Sequence, residues 1–166
     1  MQDDLAETDG YVLAHTMLRI KDPDRSLAFY RDVLGMRLVT RLDLAEWKFS
    51  LYFLQPRGHD PVDGSLEQTF SRPGLLELTH NWGSETDDSV MHSGNEAPKG
   101  YGHICISVPD ISAACARFER LGVTFQKRLG EGGIKDIAFI RDPDGYWLEI
   151  VQPDLVASAL AQYRSD

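Results

Sequence analysis

Apolar positions in this chain gather into short runs of strand length, interrupted by two stretches with helical spacing. Residues 13–20, LAHTMLRI, form the first apolar-rich run and predict a strand. Asp22 then suits a helix N-cap and Pro23 the first helical position. Leu27, Tyr30, Val33 and Leu34 recur at helical spacing, and Gly35 is a natural C-terminal stop. The same order returns in residues 102–122: GHICISV predicts a strand, and the following PDISAACARFERLG predicts a capped helix ending in glycine. His15 and His103 are 88 positions apart, and Gly35 and Gly122 are 87 apart. An offset this constant marks an internal duplication.

Three further strand-like runs follow each helix. After Gly35 they are MRLVTRL, KFSLYFL and LLELTH; after Gly122 they are VTFQKRL, DIAFI and YWLEI. Asp142-Pro143-Asp144-Gly145 is a turn signal between the last two. Each half therefore reads strand, helix, strand, strand, strand. The expected architecture is α+β: one domain of two βαβββ modules, about 11–82 and about 100–153, with an N-terminal arm and a C-terminal tail. Residues 55–74, rich in Gly, Pro and charge, are expected to form a surface loop, and residues 83–100 a solvated linker.

Composition narrows the class. The 166 residues are 42% apolar and 26% charged, ordinary for a soluble globular protein. No apolar run approaches the roughly 20 residues of a membrane span. The acidic start MQDDLAETDG lacks the pattern of a secretory signal, so the expected compartment is the cytoplasm. A net charge of −9 argues against nucleic acid or an anionic membrane as partner. Cys105 and Cys115 are expected to be buried small hydrophobes rather than a disulfide.

The candidate chemistry lies in four polar residues. Each half has a His at the start of its first strand and a Glu in its last: His15 with Glu77, and His103 with Glu149. An acid inside an apolar strand costs several kcal/mol to bury unless it is paired or bound to metal. Singly, each residue could be structural or solvent-facing. Repeated at matching places, they form a mixed N/O set suited to Zn, Ni, Co, Mn or Fe. His59, His80 and His92 have no counterpart in the other half and are weaker candidates.

At these residues the chain resembles glyoxalase I, of the vicinal oxygen chelate superfamily. The motifs HTMLRIKDP, KFSLYFL, LELTHNWG, GHICISVPD and AFIRDPDGYWLEI are similar to that family's, in the same order, across residues 14–153. The resemblance implies modules paired across a homodimer, with His15, Glu77, His103 and Glu149 as metal ligands. It implies isomerisation of the methylglyoxal–glutathione hemithioacetal to S-D-lactoylglutathione through an enediolate, with Glu149 as principal proton shuttle and Glu77 as a second catalytic carboxylate serving the opposite face of the substrate. Arg19 and Asn81 match contacts to the γ-glutamyl end. Lys99 stands where relatives often have Arg, which keeps the charge but loses a bidentate grip. Lys127, Gly133 and Ile134 match the region around the glycyl end, and Phe49, Leu51 and Phe53 the strand that lines the reacting group. The insert and arm resemble those of the longer, zinc-using members, so Zn²⁺ is the expected metal, with Ni²⁺ or Co²⁺ as alternatives. An extradiol dioxygenase would need iron on two His and one carboxylate, and a metal-free binding relative would lack the complete set.

Overall fold

The structure is a computed structural model that describes residues 7–58 and 64–164. It divides into two compact units, Met1–Asp88 and Ser89–Asp166. Among the described residues no helix is long and apolar enough to cross a membrane.

The first unit is built from β1 (His15–Ile20), α1 (Pro23–Asp32), β2 (Arg37–Leu44), β3 (Phe49–Gln55), α2 (Leu66–Ser71) and β4 (Leu75–Asn81). Its sheet has the order β1-β4-β3-β2, so the first and last strands lie side by side and parallel. The helix α1 starts as the sequence predicts. The Asp22 carboxylate accepts from the backbone N–H groups of Asp24 and Arg25 at 2.9 and 3.2 Å, a cap that contributes about 1 kcal/mol. It ends where Gly35 takes a left-handed φ of 70°.

Alternation sets the two faces of this sheet. Leu18, Ile20, Tyr52, Leu54, Leu76 and Leu78 are buried and form its core face. Each such side chain contributes roughly 1.5–3 kcal/mol on burial. Their neighbours in sequence, including His15, Met17, Glu77 and Phe53, point to the other face.

The second unit repeats the plan with β5 (His103–Ser107), α3 (Ile111–Arg120), β6 (Phe125–Lys127), β7 (Ile137–Arg141) and β8 (Trp147–Val151), followed by α4 (Pro153–Leu160). Its sheet has the order β5-β8-β7-β6, again with first and last strands parallel. Asp110 caps α3 by accepting from the Ala113 N–H at 2.9 Å. Ile111, Cys115 and Phe118 bury one face of that helix. The expected turn at residues 142–145 forms: the Asp142 carboxylate accepts from the N–H groups of Asp144 and Tyr146 at 3.0 and 2.9 Å.

Two expectations need correction, and a third element gains detail. The insert after β3 is not only loop, because residues 66–71 fold as α2 with Ser65 as its cap, accepting from the Gln68 N–H. The C-terminal tail is helical over residues 153–160, with Pro153 in the first turn. Cys115 is buried as expected, but Cys105 is exposed, because it alternates onto the same face as His103.

Candidate active site

Strand register brings the expected residues together within each unit. In the first sheet Met17, Glu77 and Phe53 stand in one cross-strand row, and Arg19, Thr79 and Leu51 in the next. His15 lies two residues before Met17, and Asn81 pairs with Phe49 one row beyond Leu51. Alternation therefore puts His15, Arg19, Phe49, Leu51, Phe53, Glu77 and Asn81 on a single face. His15 Nε2 lies 2.9 Å from Glu77 Oε2. Glu77 Oε1 accepts from the Thr79 hydroxyl at 2.9 Å, and Glu77 is only 8% exposed.

The second sheet repeats this row for row. Cys105, Glu149 and Phe139 stand in register, and His103 lies two residues before Cys105. His103 Nε2 is 3.3 Å from Glu149 Oε2. In both sheets, then, the carboxylate sits opposite the position two after the histidine. Although Cys105 is exposed as a residue, its thiol is pushed up to about 11 by partial desolvation at the sheet surface, by the charge of Glu149 and by a hydrogen bond to that carboxylate.

Aromatic rings fix both imidazoles. His15 meets Phe53 edge-on at 5.5 Å between centroids and Phe70 of α2 at 6.1 Å. His103 meets Phe139 edge-on at 5.2 Å, and Phe139 in turn meets Trp147 at 5.7 Å. Neither Phe139 nor Phe70 is among the residues the sequence singled out. Phe139 was findable, since the duplication aligns its AFI with the YFL around Phe53. For Phe70 the signal was Ser65-Leu66-Glu67-Gln68, a capping box that announces a helix in the insert.

Lys127 shares a row with Phe139 on β6. Its ammonium donates to the backbone carbonyls of Ile134 and Ile137, both at 2.7 Å, and so closes the glycine-rich loop on itself. Burial pushes this ammonium below the usual lysine value, against the pull of Glu131, Asp136 and Glu149. Gly133 and Ile134 are exposed and border a cavity of about 260 Å³ with Leu160 and Tyr163. Lys99 is exposed in the irregular segment before β5. That segment is folded tightly: the Gly100 N–H donates to the Gly94 carbonyl at 2.9 Å, and Asn95 Nδ2 to the Gly102 carbonyl at 2.7 Å.

The remaining histidines stand apart. His80 is buried with Nε2 2.8 Å from Glu85 Oε2, a structural pairing. His92 is exposed and borders a cavity of about 290 Å³ with Arg141 and Trp147. His59 lies outside the described residues.

Residues 12–150 match the Glyoxalase/Bleomycin resistance protein/Dioxygenase superfamily. The chain belongs to this superfamily. It is 62% identical to the lactoylglutathione lyase of Pseudomonas aeruginosa, over 90% of this chain and 87% of that protein. It is 54% identical to the lactoylglutathione lyase of Pseudomonas putida, over 88% of this chain and 87% of that one. Among solved structures it is similar to the trypanothione-dependent glyoxalase I of Leishmania major, with a TM-score of 0.67 and 33% identity over 92% of this chain and 94% of that chain.

The half-sites fit a divalent metal chemically. Within this superfamily's fold each unit offers one imidazole nitrogen and one carboxylate oxygen, aimed at each other from neighbouring strands. An imidazole nitrogen and a carboxylate oxygen are donors that suit such a cation. Among the described residues His15 Nδ1 is buried with no hydrogen-bond partner; Nε2 faces Glu77, and Phe53 and Phe70 flank the ring edge-on. Among the described residues no group of three or more His, Cys, Asp or Glu gathers as one cluster; the structure shows pairs.

Proposed function

We propose that His15, Glu77, His103 and Glu149 together hold one divalent metal, and that Glu149 moves the proton during catalysis. The enzyme is a lactoylglutathione lyase in activity: it isomerises the hemithioacetal of methylglyoxal and glutathione to S-D-lactoylglutathione. The observation that carries the site assignment is the repeated His–Glu pair at the same register in both sheets.

A divalent metal held by these four residues would supply Lewis acidity, lowering the cost of negative charge developing on the substrate oxygens. The Glu149 carboxylate takes the proton from the carbon bearing sulfur and returns it to the neighbouring carbon, while the hydroxyl proton of the first carbon passes to the oxygen of the second, so the net change is an isomerisation. Its side chain is 19% exposed, which leaves it room to reach a substrate. His15 and His103 serve as holding groups, and Glu77 remains a ligand on the substrate's opposite side.

Glutathione presents two carboxylates and one ammonium. Arg19 and Asn81 receive the γ-glutamyl end, with Lys99 adding a cation. Lys127 gives two of its three N–H donors to the loop carbonyls, so its main contribution is to order Gly133 and Ile134, whose backbone faces the glycyl end. Phe49, Leu51 and Phe53 line the space around the reacting carbons. Complete sites arise in a homodimer in which one protomer's His15 and Glu77 meet its partner's second unit. Zn²⁺ is the metal and the cytoplasm the compartment.

The test is Glu149→Gln in the metal-loaded protein, following thioester formation by ultraviolet absorbance. The fold should persist while turnover falls by about a thousandfold or more. Near-normal turnover would overturn the assignment. Metal-stripped protein reloaded separately with Zn²⁺ and Ni²⁺ should recover most activity with Zn²⁺; recovery with Ni²⁺ alone would overturn the choice of metal.

A further inference from the structure

The two half-sites share one register, yet their carboxylates are held differently. Glu77 has both oxygens engaged: Oε2 lies 2.9 Å from His15 Nε2, and Oε1 accepts a buried hydrogen bond from Thr79 Oγ1 at 2.9 Å. Thr79 is two residues further along β4, so its side chain emerges on the same face. The matching position in the second unit, two after Glu149, is Val151, whose side chain has no donor. Glu149 instead has the Cys105 thiol beside it, a weak donor, and its contact with His103 is longer at 3.3 Å. Its side chain is also more exposed than that of Glu77, 19% against 10%.

Duplication alone would make the two carboxylates equivalent, each a ligand and each a base. Swinging Glu77 toward a substrate would break a buried O–H···O⁻ bond, and charge-assisted bonds of this kind are among the stronger ones. Swinging Glu149 breaks nothing comparable. We propose that Thr79 is a positioning residue that pins Glu77 as a fixed ligand and thereby leaves proton transfer to Glu149 alone. This rests on the reading that Glu149 is the proton-moving group.

Thr79→Val keeps the shape and removes the hydroxyl; Thr79→Ser keeps the hydroxyl. Both are made in the full chain, alone and with Glu149→Gln. Loss of Zn²⁺ from Thr79→Val to a chromogenic chelator should be about tenfold faster than from the parent, and Thr79→Ser should restore the parent rate. The residual turnover of Glu149→Gln should rise about tenfold when Thr79→Val is added, because Glu77 is then free to act as base. Unchanged Zn²⁺ retention in Thr79→Val, or a double variant no more active than Glu149→Gln, would overturn the role of Thr79. If Glu149→Gln alone is nearly fully active, the prior reading fails instead, which separates the two failures. Thr79→Ser, the smaller change, keeps the retention test decisive if the valine variant folds poorly: a serine variant that loses Zn²⁺ as fast as an unfolded control overturns the role, and one that retains it as the parent does supports it.

Discussion

Phe139 stands edge-on to His103, with 5.2 Å between ring centroids and 78° between ring planes. Phe53 holds the same relation to His15, at 5.5 Å and 82°. The duplication thus copied a three-residue device, histidine, glutamate and phenylalanine. The copies differ in burial, since Phe53 is fully buried and Phe139 half-buried. Phe53→Ala should therefore cost about 3–5 kcal/mol and Phe139→Ala about 1–3 kcal/mol, measured by denaturant unfolding. Equal costs would contradict the different burial of the two rings. Phe139→Ala should also lower kcat by roughly tenfold, as the His103 ring loses its support.

Lys127 closes the loop of residues 128–136 through two carbonyls. Lys127→Met keeps the length of the side chain and removes both bonds. Amide exchange across residues 130–136 should accelerate, and KM for the hemithioacetal should rise by about three- to tenfold with kcat within about twofold. A large fall in kcat with KM unchanged would mean that the ammonium acts on the reacting atoms rather than on the loop.

Gly94 sits at φ +80°, and a Cβ added there would lie 2.1 Å from the Tyr101 carbonyl oxygen. Gly94→Ala should destabilise the protein by about 2–4 kcal/mol and displace the segment that leads into His103. Gly100 has nothing within 4 Å of such an atom, so Gly100→Ala is the matched control and should change stability by less than about 1 kcal/mol. Thermal unfolding of the two variants decides the point; similar melting temperatures would refute it.

Glu85 is held below the usual carboxylate value by its own backbone N–H, by His80 and by the Gly83 N–H. A depressed folded-state pKa means a stabilising contribution that is full above the unfolded value, near about 4.3, and is lost as pH falls through the folded value. Glu85→Gln should therefore lower the melting temperature at pH 7, and the gap to the parent should shrink as pH falls below about 4.3. A gap that stays constant with pH would show that charge is not the source.

Much of this was readable from residues alone. Asp22, Pro23 and Gly35 bound α1 through local chemistry, and the constant spacing of the histidines and glycines exposed the duplication. His15 and Glu77 stood out because each interrupts an apolar strand. What escaped notice depends on contacts across sequence. Phe70 reaches His15 only because a short helix forms inside the insert, and Thr79 has meaning only beside Glu77 in the folded strand. Lys127 carries a charge that suggests a ligand, yet the fold directs it to backbone carbonyls ten and fewer residues away. Cys105 was misread because an apolar run conceals which of its members alternate outward.

The parallel pairing of first and last strands has a consequence for how the protein is made. His15 and Glu77 are 62 residues apart in the chain, and His103 and Glu149 are 46 apart. Neither pair can meet until the closing strand of its module has been synthesised and has slotted beside the opening one. Closing the longer span costs only about 0.3 kcal/mol more than closing the shorter, so chain length hardly favours either half. The order of synthesis does: a nascent chain completes the His15 half first and waits for β8 before the second exists. Such long-range pairing is among the slow events of folding. Pairing of each histidine with its glutamate is thus a late checkpoint in folding, and a partly folded chain holds the two groups of each pair apart.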